Sequence, residues 1–308
     1  MDTSVNNDIR VLAESVCAVV VAYYPDADFE ARLLCTLPQV AMLVIVDNTP
    51  VPIALSADFR NRWQDRLHCI ANAENKGIAA ALNQGLEYAA GMDYPWTLTL
   101  DQDTRCYPDM VDILGRVYAS CSPAPTVIGS NYFDPQNARA KISAKDHLAW
   151  TDQTTVITSG CLIDTVVALQ VGGFREDYFI DQVDHEFCLR VRSHGGRVVI
   201  STTPAMDHSV GRVGGVRLPW LGVLPNHPPV RKYYIARNTM VTVASYWRTE
   251  PDWCFRRLVR LFLGLVEMAV LEEQRGRKVR GFMAGIVDSV RAQMGPCRRM
   301  FLQQKSST

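Results

Sequence analysis

The sequence lacks paired cysteines. Its nine, at positions 17, 35, 69, 106, 121, 161, 188, 254 and 297, are odd in number, scattered and never spaced Cys-x-x-Cys. This argues against a disulfide framework or a zinc site, and for a reducing cytoplasm. No run of about 18 or more apolar residues occurs, so no transmembrane helix is expected. Residues 1–8 hold no basic stretch followed by an apolar one, so no leader peptide is expected. Also missing are a Gly-x-Gly-x-x-Gly after the first apolar run and any Gly-Lys-Ser/Thr phosphate loop, which weakens dinucleotide and P-loop readings. The sequence has no net charge either, yet its charges are unevenly spread. Residues 231–308 carry 15 Lys and Arg against 6 Asp and Glu, leaving 17 against 26 in residues 1–230. An acidic body with a basic tail suggests that the tail meets an anionic partner such as a membrane surface or nucleic acid.

What is present is enough apolar material, 48% of 308 residues, for one large or two modest domains. Residues 16–22 (VCAVVVA) and 42–46 (MLVIV) are continuous β-branched runs, as in strands buried on both faces. Between and after them, Phe29, Leu33, Leu34 and Leu37, then Ile78, Leu82, Leu86 and Ala89, recur at helical spacing. Further strands are expected at 67–70, 96–100, 127–130, 156–163 and 197–200. Strands alternating with helices predict an α/β fold with a Rossmann-like, mostly parallel sheet covered on both faces. Ligands of such sheets bind at the carboxyl ends of the strands. Tyr23, Asp47, Asn75, Lys76, Asp101 and Asp103 should therefore collect on one edge.

Trp96-Thr-Leu-Thr-Leu-Asp101-Gln-Asp103 concentrates the chemistry. Two carboxylates at i and i+2 of an extended chain point to one side, and such a pair invites a divalent cation. The alternative is a polar turn closing a buried strand. A second acidic cluster, Asp181, Asp184 and Glu186, opens a helix expected over 182–193. Acids in a first turn suit the helix dipole. Asp184 differs, because it shares the apolar face with Phe187, Cys188 and Val191. A carboxylate facing inward there is a candidate general base.

In order, Val-Ala-Tyr23-Tyr24-Pro, Val46-Asp47-Asn48, Asn75-Lys76-Gly77 through Asn83-Gln-Gly85, Leu100-Asp101-Gln102-Asp103-Thr104, Ser159-Gly160-Cys161, Phe179 through Arg190, Asp207-His208 and Arg231 through Asn238 form one pattern. It resembles the family 2 inverting glycosyltransferases of GT-A fold, and among them bacterial rhamnosyltransferases of the rhamnolipid, O-antigen and capsule type, over about residues 15–290. The resemblance implies a GT-A catalytic domain over 15–230, after a disordered 1–14, with a basic C-terminal helical region at 231–308. It implies dTDP-L-rhamnose as donor and a glycolipid or lipid-linked saccharide as acceptor. Asp47 would bind the pyrimidine and Tyr23 would line its pocket. Asn75, Lys76, Gly77 and Asn83 belong to the donor stretch, and Asp101 would approach the ribose or diphosphate. Asp103 and His208 would hold Mg²⁺ or Mn²⁺, and Asp184 would be the base. Arg231 and Arg237 would steady the diphosphate or an anionic acceptor. Arg212 and residues 211–230 match no sharp motif.

Bland readings stand beside these: Lys76 as a solvated loop lysine, His208 as a surface histidine, and 258–271 as a helix packed on the domain. The other reading of 258–271 is an amphipathic helix on the inner face of the membrane, which makes the protein a peripheral cytoplasmic one. Nucleic acid is not expected as a partner, because no aromatic–basic stacking pattern accompanies the charge. A UDP-sugar donor, or a non-catalytic nucleotide-binding or membrane-docking subunit of a glycan assembly complex, are the alternative functions.

Overall fold

A computed structural model describes residues 11–134, 139–142, 148–208, 216–218, 222–224 and 226–302. The elements are β1 (Val16–Ala22), α1 (Phe29–Thr36), β2 (Met42–Asp47), α2 (Ala57–Trp63), β3 (Leu67–Ala71), α3 (Ile78–Gly91), β4 (Trp96–Asp101), β5 (Arg105–Cys106), α4 (Met110–Ser120), β6 (Val127–Asp134), β7 (Arg139–Ala140), β8 (Trp150–Asp152), β9 (Cys161–Asp164), α5 (Thr165–Gln170), α6 (Val183–Ser193), β10 (Val198–Asp207), β11 (Val216–Leu218), β12 (Gly222–Leu224), α7 (Pro229–Tyr246), α8 (Pro251–Leu271) and α9 (Arg275–Val290).

They fall into two compact units. The first comprises residues up to 75, 81–173 and 194–209; the second comprises 76–80, 174–193 and 210 onward. This differs from a linear division at residue 230. The reason lies within the second unit, where side chains of α7 bond the backbone of residues 177–181, described below. Within the expected disordered 1–14, Val11 is buried and Ala13–Ser15 form a 3₁₀ turn. Residues 1–10 lie outside the described residues, as do Arg212 and 303–308.

The first unit holds the main sheet, in the order β3-β2-β1-β4-β9-β6-β10-β5, with β7 on β6 and β8 on β10. The half from β3 to β4 is parallel, as expected. β9 then runs antiparallel between β4 and β6, so the sheet is mixed. An apolar run announces a buried strand but carries no information about its direction. The strand expected from Val156 begins only at Cys161, because Gly160 adopts φ +77, outside the extended region.

β1 explains its unbroken apolar run. Val16, Ala18, Val20 and Ala22 face a core shared with Phe29 and Leu33 of α1 and Met110 and Leu114 of α4. Cys17 and Val19 face the other side, with Val44, Val46, Ala81 and Ala89. Helix α3 approaches that side so closely that a Cβ on Gly85 would stand 2.2 Å from Cγ1 of Val19. Gly85→Ala is therefore expected to destabilise the protein by about 1–3 kcal/mol, read as a lowered Tm, although Ala has the better helix propensity. An unchanged or raised Tm would mean that α3 does not lie against β1 at this distance.

Candidate active site

The site starts at the end of β4. Trp96, Leu98 and Leu100 alternate into the core. On the opposite face Thr97 Oγ1 bonds Thr165 Oγ1 at 2.9 Å, and Thr99 Oγ1 donates to the Thr158 carbonyl at 2.6 Å. The strand ends at Asp101, and the Thr104 amide closes a turn on the Asp101 carbonyl at 3.1 Å. Gln102, between the two acids, is a clamp. Its Oε1 accepts from the Tyr23 amide at 2.6 Å, its Nε2 donates to the Tyr23 carbonyl at 3.2 Å, and its own carbonyl accepts from Arg32 Nε at 2.7 Å. The turn is thereby tied to the end of β1.

The strand pairing that follows brings in His208. Two residues past Asp103, β5 pairs antiparallel with the end of β10, Arg105 opposite Asp207 and Cys106 opposite Met206. His208 is the next residue. Its Nε2 lies 3.9 Å from Asp101 Oδ2 and its Nδ1 lies 3.8 Å from Asp103 Oδ1. One ligand atom from each of Asp101, Asp103 and His208 falls within 4.8 Å of the others. These separations are too long for hydrogen bonds. Ligands of one ion, each about 2.1 Å from it, stand roughly 3–4 Å apart. The donor set of two carboxylates and an imidazole thus fits a divalent cation such as Mn²⁺ or Mg²⁺. The imidazole is buried and oriented: Thr104 Oγ1 lies 3.3 Å from Nδ1, and the Tyr132 ring meets it edge-on at 5.7 Å. Ser159 supports the turn from β9's approach, its Oγ accepting from the Asp101 amide at 3.2 Å and bonding Thr104 Oγ1. The sequence pattern separates Asp101 from the metal pair, whereas the geometry groups all three. It leaves Gln102 and Thr104 without a task, since nothing in their spacing predicts a partner 79 or 104 residues away.

The remaining first-unit residues are more varied. Tyr23 is exposed at the end of β1 and packs edge-on against Tyr24 at 4.7 Å. Asp47 is buried, and both of its oxygens serve the following loop. Oδ1 accepts from the Thr49 amide at 2.8 Å and Oδ2 from the Ile53 amide at 2.7 Å. Its first task is thus to shape residues 48–53. A cavity of about 570 Å³ lies beside that loop, lined in part by Tyr24, Phe29, Thr49, Val51 and Ile53. Asn75 is exposed, and Asn83 is buried with its Oδ1 against Gly173, 2.6 Å from where a Cβ would be.

In the second unit, Lys76 is exposed and Gly77 is enclosed, with φ +87 and the Phe179 carbonyl 2.6 Å from the position of a Cβ. The Ile78 amide donates to that same carbonyl at 2.8 Å, so only glycine allows this approach. Asp184 sits half-buried in the first turn of α6, with Phe187, Cys188 and Val191 buried along its face. Its Oδ1 accepts from the His185 amide at 2.8 Å. The other two acids have structural partners. Asp181, its side chain 11% exposed, accepts from Arg231 Nε at 3.1 Å; its partial burial pushes its pKa up, and the Arg231 charge opposes that without cancelling it. Glu186 pairs with Arg190 at 2.7 Å and accepts from Tyr246 OH at 3.0 Å.

Arg237 departs from expectation. It is completely buried. Its guanidinium donates to the carbonyls of Asp177 (3.1 Å), Tyr178 (3.1 Å) and Gly295 (2.6 Å) and to Asn238 Oδ1 (2.9 Å). A donor set spent on backbone oxygens inside the protein holds the fold and is not presented to a diphosphate. Asn238 adds bonds from Nδ2 to the carbonyls of Tyr178, Ile180 and Asp181 at 3.0, 2.8 and 3.0 Å. The segment they hold is strained, with positive φ at Phe179, Asp181 and Gln182.

Residues 31–161 match the glycosyl transferase family 2 model. The chain is 28% identical over 251 residues to the dTDP-rhamnosyl transferase RfbF of Shigella flexneri, covering 74% of this chain and 79% of that protein. Among solved structures, GalNAc-T7 with UDP, GalNAc and Mn²⁺ aligns with a TM-score of 0.59 and 12% identity over 92% of this chain, which spans 58% of GalNAc-T7. S. aureus TarS 1–349 in complex with UDP-GlcNAc aligns with a TM-score of 0.54 and 11% identity, covering 90% of this chain and 92% of that one. At such identities the structures share the fold.

Proposed function

We propose that this protein, a glycosyltransferase whose residues 31–161 match the family 2 model, is a metal-dependent inverting rhamnosyltransferase. It moves L-rhamnose from dTDP-L-rhamnose to a hydroxyl of a glycolipid or lipid-linked saccharide. The observation that carries the metal part is the convergence of Asp101, Asp103 and His208. The similarity to RfbF supports the donor.

Asp101, Asp103 and His208 would hold Mg²⁺ or Mn²⁺; the imidazole favours Mn²⁺, the ion in the GalNAc-T7 structure. When bound, the ion neutralises negative charge on the leaving diphosphate. The protein's own residues do the rest. Asp184 accepts the proton of the acceptor hydroxyl as that oxygen attacks the anomeric carbon. Arg231, with Nε on Asp181 and its side chain 43% exposed, offers its Nη groups to the diphosphate or an anionic acceptor. Lys76 and Asn75, both exposed, contact the donor, with Gly77 and Asn83 shaping that stretch. Tyr23 lines the pocket of the base. Asp47 acts there through the loop it shapes, and the cavity beside that loop is of a size for a nucleoside. Nine cysteines, none of them in a disulfide, support a cytoplasmic setting.

The test is a thermal-shift panel of dTDP-rhamnose and UDP-sugars, with and without Mn²⁺, followed by turnover with the donor that binds. Stabilisation by dTDP-rhamnose that needs Mn²⁺ is the expected result; a larger shift with a UDP-sugar would reassign the donor. Asp103→Ala and His208→Ala should each reduce metal-dependent turnover on the order of a hundredfold. They should also abolish the Mn²⁺-dependent shift. If both retain it, the cation is held elsewhere.

A further inference from the structure

We infer that the outer face of helix α8 docks on the surface of an anionic phospholipid bilayer. The inference extends the reading of a lipid-linked acceptor and rests on it for its purpose. Phe255, Val259, Phe262, Leu263, Val266 and Val270 recur at i, i+4, i+7, i+8, i+11 and i+15, which is one side of a helix. All six are exposed, Phe255, Phe262 and Val270 by more than 60%. The opposite side is already filled. Trp253 and Cys254 pack with Leu189, Val243 and Tyr246, and Met268 packs with Ala236 and Phe282. A helix apolar on both sides calls for a cover on the second.

Charge selects the cover. Exposed Arg256 and Arg260 sit beside the apolar stripe, and Arg275, Arg277 and Arg280 are exposed on the next helix. Of the nearby acids, Glu267 pairs with Arg260 at 2.9 Å and Glu272 with Lys232 and Lys278 at 2.5 and 2.7 Å, which leaves exposed Asp252 and Glu273 against exposed Arg256, Arg275, Arg277 and Arg280. Residues 231–308 hold 15 basic against 6 acidic side chains. A second copy of the chain would bring the same positive charge to this face and be repelled. Phospholipid phosphates are complementary to it. Among the described residues, no helix is long and apolar enough to cross a membrane. An apolar stripe edged by arginine is the pattern of a helix lying in the headgroup layer.

Sedimentation of the full chain with vesicles tests this. Equal parts phosphatidylcholine and phosphatidylglycerol should carry the protein down at low salt, and phosphatidylcholine alone should not. Phe255→Ser with Phe262→Ser, and separately Arg275→Glu with Arg277→Glu, should each lower the bound fraction on the order of tenfold. Both pairs are surface positions, and thermal stabilisation by the donor should persist in them. Failure of the wild type to sediment, or unchanged sedimentation of both variants, overturns the inference. So does a dimer by analytical ultracentrifugation that the phenylalanine pair dissolves, which would make the face an interface between copies. The vesicle assay contains no donor and the donor panel contains no lipid, so either reading can fail alone.

Discussion

Asp184→Asn is expected to lower kcat by about 10²- to 10⁴-fold, the range for loss of a general base. Donor affinity and stability should hardly change. The reason is local. Asp184 Oδ1 accepts from the His185 amide, and an asparagine oxygen can do the same. The substitution therefore keeps the first turn of α6 while removing the capacity to take a proton. Arg257 on α8 feels the Asp184 charge, although burial lowers its pKa more than that charge raises it. Neutralising Asp184 therefore also removes one favourable interaction, worth a small loss of Tm. The measurement is dTDP release at saturating acceptor beside the donor-dependent Tm shift. Normal turnover in the variant would remove Asp184 from the chemistry. Lost turnover together with a lost donor shift would assign it to donor binding.

The second large effect belongs to Arg237. Arg237→Ala should destabilise the second unit by about 3–5 kcal/mol, because several buried carbonyls lose their donor at once. At roughly 2–4 °C per kcal/mol for a protein of this size, the Tm should fall by about 10 °C. Turnover should fall as well. Arg237 and Asn238 together bond the carbonyls of Asp177, Tyr178, Ile180 and Asp181, and that segment leads directly into Asp184. Phe179, Asp181 and Gln182 at positive φ each cost about 1–3 kcal/mol and persist only while something holds them. Asn238→Ala gives the milder version, and there kcat should fall more than stability. Arg237→Lys should not rescue, since a point charge with three donors cannot span the same fork of carbonyls. A wild-type Tm in Arg237→Ala would contradict the buried bonding pattern. Wild-type kcat in Asn238→Ala would separate the strained segment from catalysis.

Much of this was legible in the chain. Unbroken apolar runs located β1 and β2, and local spacing located α3 and α6, because which residues share a side of a helix depends only on that spacing. The turn at Asp101-Gln-Asp103 could be read as a metal candidate for the same reason. The family resemblance rested on short segments in order, and order survives when contacts are unknown. Arg237 was misread because a motif arginine looks the same whether it faces a ligand or the backbone. The direction of β9 could not be read, because apolar content does not encode it.

Only the tertiary structure could bring His208 to Asp101 and Asp103. The antiparallel pairing of β5 with β10 closes more than 100 residues of chain, and nothing in the local pattern around His208 predicts it. The same holds for Gln102 clamping Tyr23 and for α7 holding residues 177–181. For α8 the sequence supplied two readings, and the structure shows one side of the helix packed on Leu189, Val243 and Tyr246 and the other side exposed. Local spacing determines which side chains share a face. Long-range pairing and burial determine what each face meets, because those energies are realised only once the chain has closed on itself.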